Sequence, residues 1–284
     1  MTSARVSAQL FALSIVLASA DGSAQDVPDA GVSAAGDAAA GSPTTAAEEA
    51  APEESELVLT AGIDLVTRFI WRGVSFGDQW TIQPTATIGS HGFSTTFWAS
   101  AAPNQSSLVD YVGITLSYAH VGDFGTLGVD LADWIFSQRV TTDAAGDPVV
   151  AIGAPYLFDV DGHGNGSHWL DATASYIGPE AFPIKVQFGL VVYNDPDFSK
   201  YVGLSYPIDL GRGFLLTPEF GVVFGRSRRW YFTDDDPVNV TNCALTLRRD
   251  VALGRGIVMP ISLAAIVNPE SERMHVVGSI GIHL

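Results

Sequence analysis

Asp64, Arg68 and Arg72 stand at even spacings in a run that is otherwise apolar. Leu57, Leu59, Ala61, Ile63, Leu65, Phe69 and Trp71 occupy the odd positions. Successive side chains of a β-strand point to opposite faces, so this pattern puts the three charges, with Thr60 and Gly62, on one face and the apolar residues on the other. The alternation recurs downstream. Lys185 and Gln187 oppose Ile184, Val186, Phe188, Leu190 and Val192, and Thr217 and Glu219 oppose Phe214, Leu216, Phe220, Val222 and Phe224. Asn242, Thr246, Arg248 and Asp250 share a face whose phase Arg249 breaks, which implies an interfacial position for Arg249 or a bulge that shifts the register. Charges of both signs on one face have two uses. Ion pairs across a narrow interior brace a wall, whereas clusters around a wet constriction select solutes. Asp64, Arg68, Arg72, Lys185, Glu219 and Arg248 are therefore the candidate lumen-lining residues. The faces of Asp130, Asp133 and Asp171 stay open.

Two other groupings could do chemistry. Asp159-Val-Asp161-Gly-His163-Gly-Asn165-Gly alternates oxygen ligands between glycines in the manner of a calcium loop. A histidine occupies its fifth position, and Leu170 stands where the bidentate Glu belongs, so a flexible polar loop is the plainer reading of Asp159, Asp161 and Asn165. Asp234-Asp235-Asp236 reads as a solvated acidic loop that would hold divalent ions only loosely. His168, with Asp171 and nearby Ser167, is the one compact grouping a hydrolase would need. No serine lies in a G-x-S-x-G nucleophile motif, and a polar strand start accounts for these residues as well. Cys243 is the single cysteine and has no internal disulfide partner. No cofactor is implied.

The elements that must position these charges are short strands. Candidates lie near 57–72, 79–89, 92–102, 107–121, 125–139, 167–178, 183–194, 199–210, 213–227, 240–253, 256–267 and 273–284. In the last, Val276, Gly278, Ile280, Ile282 and Leu284 share one face, and His275, Val277, Ser279, Gly281 and His283 the other. Glycine-rich turns follow every second strand, at 90–92, 122–124, 178–183, 211–212 and 254–256, and longer polar connections separate the rest. Short turns on one side, long loops on the other and an even strand count are the layout of an outer-membrane barrel. Strands of this length span a bilayer, and only a helix or a closed barrel does so with every backbone group paired. The fold expected is all-β: a transmembrane antiparallel up-and-down β-barrel of about twelve strands over 57–284. Trp71, Trp80, Trp98, Trp134, Trp169 and Trp230 fall near the long-loop ends, and Phe93, Tyr118, Tyr176, Phe182, Tyr206 and Phe214 near the turns. That sorting predicts two aromatic girdles at the two interfaces.

The N-terminus reads as a secretory signal over 1–24. Arg5 precedes an apolar run from Leu10 to Leu17 and then small residues suited to cleavage. The run is too short to span a bilayer as a helix, and no later segment is long and apolar enough for an inner-membrane bundle. Residues 25–56 carry acids, no Lys or Arg and no aromatics, the composition of a disordered periplasmic spacer. Contact with the cell wall or a periplasmic partner is the functional reading of that spacer. A formal net charge of -17 leaves no basic stripe for nucleic acid. Partners expected are outer-membrane lipid, lipopolysaccharide and small hydrophilic solutes, in a Gram-negative outer membrane with both termini periplasmic.

Leu65 to Ser100 reads LVTRFIWRGVSFGDQWTIQPTATIGSHGFSTTFWAS. The segment resembles the TorF-type porin family (the Gcw_chp family of proteobacterial outer-membrane proteins), whose members carry S-R-Y-I-W-R-G-hydrophobic-S, then A-I-Q-P, then G-F-Y-x-G-x-W-A-S. The matching residues are Thr67 to Ser75, then Ile82-Gln83-Pro84, then Gly92, Phe93, Trp98, Ala99 and Ser100. Thr67 and Phe69 replace the family's Ser and Tyr. His168-Trp169-Leu170-Asp171 is similar to its H-W-L-E segment. The resemblance implies an outer-membrane porin barrel and no particular solute. The function expected is passive diffusion of small hydrophilic solutes or ions, not catalysis. A structural or anchoring barrel with a filled lumen is the alternative, and a membrane-embedded hydrolase the remoter one.

Overall fold

The structure is a computed structural model that describes residues 57–103, 111–136, 138–142, 148–152, 157–162, 166–233 and 236–284. The expected signal segment and acidic spacer lie outside the described residues, as do His163 to Asn165, Asp234 and Asp235.

Twelve antiparallel strands close into a barrel. They are β1 (Val58–Val66), β2 (Thr81–Ser90), β3 (Phe93–Ser100), β4 (Tyr111–Gly122), β5 (Gly125–Phe136), β6 (His168–Ile177), β7 (Lys185–Tyr193), β8 (Lys200–Ser205, resuming at Ile208–Gly211), β9 (Phe214–Phe224), β10 (Val238–Gly254), β11 (Ile257–Asn268) and β12 (Arg273–His283). Each strand pairs with its sequence neighbour. The ring closes where β1 meets β12, with Asp64 opposite Gly281 and Leu65 opposite Ile280. Closure removes every sheet edge. The break in β8 falls at Tyr206-Pro207, where proline has no N–H to give the ladder. A ribbon of Gln138–Thr142 paired with Pro148–Ile152 rises from the connection between β5 and β6.

One end of the barrel is built from tight turns. His91-Gly92, Arg212-Gly213 and Arg255-Gly256 are two-residue loops whose residues all have φ between +52° and +84°. Both central residues of such a turn need positive φ, and the resulting twist matches that of the flanking strands. The longer connections gather at the other end, with both ends of the barrel segment at the turn end.

Burial alternates along the walls, most regularly on β1. On β1, Leu59, Ala61, Ile63 and Leu65 are exposed, while Thr60, Gly62, Asp64 and Val66 are partly or fully covered. The exposed face continues through Phe97, Leu116, Val129, Leu131, Phe188, Phe220, Leu245, Leu263, Val276, Ile280 and Ile282. The covered face carries Gln83, Thr87, Thr96, Thr115, Thr217, Thr246, Arg248 and Ser262. The barrel is apolar outside and polar inside, the inverse of a water-soluble protein. Its apolar belt stands exposed because the intended solvent on that side is lipid.

Three expectations change. The first strand ends at Val66, not at residue 72, and the chain then leaves the wall. β10 begins at Val238 and runs 17 residues. Its register shifts at Thr241 against β9 and at Leu253 against β11, so the irregularities lie on either side of Arg249 and not at it. Arg249 keeps the outward phase, and its guanidinium lies 5.0 Å from the Phe214 ring at the turn end. The third change concerns tryptophan. Trp71, Trp98, Trp134, Trp169 and Trp230 are buried inside the barrel, and only Trp80 is exposed. The loop-end girdle expected of them is absent. The turn-end rings behave otherwise: Phe93 is 64% exposed and lies tilted against Tyr118 at 4.6 Å, and Phe182 lies 5.5 Å from Tyr206.

Candidate functional site

Residues 67–80 fold into the barrel from its loop end. Thr67 is still tied to β12, its N–H donating to the Gly278 carbonyl at 2.9 Å. Beyond it, Ile70–Trp71 and Val74–Ser75 form a two-stranded hairpin that pairs with itself and not with the wall. Arg72 and Gly73 make its turn, with φ of +48° and +82°. Gly73 is needed twice over. Its φ is left-handed, and a Cβ there would fall 1.8 Å from the Thr241 carbonyl oxygen.

Apolar content drives the loop inward. Phe69, Trp71, Val74 and Phe76 would be wet on an open rim. They meet inward-facing rings instead: Trp98 on β3, Tyr111 on β4, Trp134 and Phe136 on β5 and Trp169 on β6. A second loop, Gly225 to Thr233, adds Trp230 and Tyr231. Trp71 stands edge-on to Trp230 at 5.3 Å and stacks on Tyr231 at 5.6 Å, which stacks on Tyr201 of β8 at 5.7 Å. Each large ring pair contributes about 0.5–1.5 kcal/mol beyond its burial. The second loop is held in turn by Asp197, whose carboxylate accepts from Arg226 Nε at 2.8 Å and from the Arg228 N–H at 3.0 Å.

Arg72 is the charged centre of this plug. Its Nη1 lies 3.0 Å from Asp171 Oδ2 and donates to the Tyr231 hydroxyl at 2.7 Å. Its Nη2 donates to Thr173 Oγ1 at 3.1 Å. The guanidinium sits 4.2 Å from the Trp71 ring centroid and 4.8 Å from that of Tyr201, within cation–π range. The side chains of Arg72 and Asp171 are only 8% and 3% exposed. Gly189 on β7 makes the space, since a Cβ there would meet Nη1 at 2.7 Å. Burial works against the Arg72 charge, but the Asp171 carboxylate and the two phenols outweigh it, so the guanidinium holds its proton more firmly than a free one. Burial also pushes the Tyr231 hydroxyl well above the ordinary tyrosine range, and the nearby guanidinium offsets this only in part. On the opposite side Asn268 of β11 donates to the Gly73 carbonyl at 3.0 Å, so the loop spans the lumen from wall to wall.

The other sequence-predicted charges are dispersed. Arg68 sits at the loop-end mouth, 3.1 Å from both Asp78 and His275. Asp64 meets His283 at 3.1 Å, nearer the turn end. Arg248 forms a two-point pair with Asp250 on its own strand, the shorter contact 2.7 Å. Lys185 and Glu219 line a polar cavity of about 30 Å³ beneath the plug, with Arg72, Gln187, Tyr201 and Asn242. That volume holds a few waters at most. The six residues thus lie at several levels of the barrel, and of them only Arg72 touches the plug core.

Sequence reasoning missed the partners of Arg72. Trp98 shares its phase with Ser94, Thr96 and Ser100, and Trp169 shares its phase with Asp171 and Thr173, which are inner-face polar residues. That shared phase was the available signal that these tryptophans point inward. Tyr231, from a distant connection, and Asn268, at the end of β11, left no local trace.

The hydrolase grouping does not assemble. His168 Nδ1 pairs with Asp133 at 2.9 Å and its Nε2 meets the Leu157 carbonyl, while Asp171 turns to Arg72. In the calcium candidate, Asp159 is buried and its carbonyl accepts the Ser167 N–H at 2.9 Å, while Asn165 lies outside the described residues. Among the described residues no group of three or more His, Cys, Asp or Glu is placed to hold a metal.

No family model and no curated protein matches the chain. Among solved structures it is similar to an outer membrane channel from Pseudomonas putida F1, at 9% identity and a TM-score of 0.43, over 85% of this chain and 99% of that one. It is also similar to the translocator domain of the autotransporter NalP from Neisseria meningitidis, at 12% identity and a TM-score of 0.34, over 83% and 89%. A third is the outer membrane channel DcaP of Acinetobacter baumannii, at 8% identity and a TM-score of 0.31, over 81% and 96%. At such scores the likeness carries no argument of its own, and the barrel rests on its strand pairing.

Proposed function

We propose that the chain is an outer-membrane porin-like channel for passive diffusion of small hydrophilic solutes or ions. The observation that carries this reading is the inverted wall, apolar outward on every strand and polar inward, closed with no free edge. Away from the aromatic plug, an inner face of threonines, serines, glutamine and paired charges suits a wet path better than a packed core. Asp64, Arg68, Lys185, Glu219 and Arg248 are the residues this path would run past. Both termini face the periplasm in this reading, as the short-turn end does in such barrels. Membership of the TorF-type family, a cleaved 1–24 signal and a 25–56 periplasmic spacer belong to the same proposal and rest on the residues quoted above.

A specific observation favours a second reading. Two cavities lined by described residues at the plug, of about 10 and 30 Å³, are too small for solutes, as expected of a structural barrel with a filled lumen. Planar-bilayer recording of the refolded protein separates the two. Salt-dependent conductance steps support the channel. A folded, heat-modifiable barrel that stays silent, both as it is and with residues 67–80 replaced by a short Gly-Ser linker, identifies a filled structural barrel.

A further inference from the structure

The surroundings of Arg72 are a cation site in their own right. Asp171 supplies a carboxylate from β6, Thr173 on the same inner face supplies a hydroxyl, and Tyr201 supplies a ring face from β8. Asp130 of β5 stands directly opposite Thr173 in the strand register and adds a second carboxylate to the same patch of wall. One oxygen of the buried Asp171, Oδ1, has no hydrogen-bond partner among the described residues. A carboxylate left half-satisfied at 3% exposure retains capacity for a further donor or a cation.

The group now in this site comes from a hairpin that is not part of the wall. Its backbone pairs with itself, and named side-chain bonds tether it: Arg72 to Asp171, Thr173 and Tyr231; Asn268 to Gly73; Tyr111 to the Phe76 carbonyl at 2.7 Å. A unit fastened by side chains can leave without breaking the barrel ladder. We propose that Asp171, Asp130, Thr173 and Tyr201 form a cation-selective filter in the barrel wall, and that Arg72 is a tethered guanidinium that fills this filter and shuts the channel. The ligand class is a small monovalent or guanidinium-type cation. The inference rests on the channel reading and names what that channel passes and how it is closed.

The test is planar-bilayer recording of the full chain in a potassium chloride gradient. Compared are the wild type, Arg72→Ala, Asp171→Asn, Asp171→Glu and the chain with 67–80 replaced by a Gly-Ser linker, each first shown to be heat-modifiable. Losing one member of a buried ion pair shifts a two-state equilibrium strongly, so Arg72→Ala should raise open probability about tenfold or more. Its reversal potential should report cation preference, because both carboxylates remain. Asp171→Asn, nearly isosteric and the safer variant to fold, should also open the channel but with weaker cation preference. Asp171→Glu should restore closure. If Arg72→Ala and Asp171→Asn stay as closed as the wild type while the linker variant conducts, the channel reading stands and the tethered-cation closure is overturned. An open Arg72→Ala channel that prefers anions overturns the cation filter. Silence from every variant, linker included, overturns the channel reading and the closure together.

Discussion

Tyr231 shows at the scale of one residue how the plug is fastened. Its hydroxyl accepts from Arg72 while its ring is stacked between Trp71 and Tyr201, and burial keeps the phenol neutral although the guanidinium favours the phenolate. The sign of the pH effect follows. An unfolded tyrosine ionises near pH 10, and the folded group is held above that by burial. The stabilisation is complete below about pH 10 and is lost as the pH rises past it toward the folded value. Ultraviolet titration of the folded barrel should show at least one of its 8 tyrosines failing to ionise in the ordinary range and doing so only as the barrel unfolds. Normal titration of all of them would contradict the buried hydroxyl. Gly221 makes a second residue-scale prediction. A Cβ there would meet the Tyr201 hydroxyl at 2.0 Å and the ring carbon bearing it at 2.6 Å. Gly221→Ala should therefore displace a fully buried ring and lower stability by about 1–3 kcal/mol. The temperature of the heat-modifiable gel shift reads the loss.

Turns and faces carry the predictions at the scale of elements. Gly213 has φ of +75° with open space around its missing side chain, so Gly213→Val costs backbone strain alone. The expected loss is about 1–2 kcal/mol, measured in urea with refolded vesicles. A substitution on the outer face tests the wall itself. Leu263 sits midway along β11 and is 55% exposed, yet in lipid it faces hydrocarbon. Leu263→Arg should cost about 2–4 kcal/mol in a bilayer if that level is the midplane. In a water-soluble β-barrel the same change would be harmless, so the contrast decides which solvent the face was built for. Arg249, also outward, escapes this penalty because it lies at the turn end, where its charge can reach water while its stem covers Phe214.

For the whole molecule, the chain is a closed wall with an aromatic plug hung from one end. Five of the six tryptophans belong to that plug or the rings around it, so brominated lipid should quench only the minor emission of Trp80. Strong quenching of most of the emission would return the tryptophans to a girdle and remove the plug. In the channel reading, a twelve-stranded barrel, intermediate between filled and open sizes, would conduct only as far as its loop permits.

The wall was legible in the sequence because it is made of local, repeating physics. A period of two fixes faces, an X-Gly pair fixes a two-residue turn, and closure follows from the need to pair every edge in lipid. Hence the inward phase of Asp64, Lys185, Glu219 and Arg248 and the outward phase of β12 follow from alternation alone. What lies inside the wall was settled only in three dimensions. In the run from Thr67 to Trp71, Arg68, Phe69 and Trp71 keep the phase of β1 while Thr67 and Ile70 break it, and Val66 ends the strand, because Phe69 and Trp71 gain more from Trp98, Tyr111 and Trp134 than from lipid. Arg72 shares the even phase of Asp64, which marks it as charged and inward. Nothing near it in the chain announces Asp171, 99 residues on, or Tyr231, 159 residues on. Alternation is a property of neighbours in sequence. A plug is a property of neighbours in space, and only the closed barrel brings those side chains together.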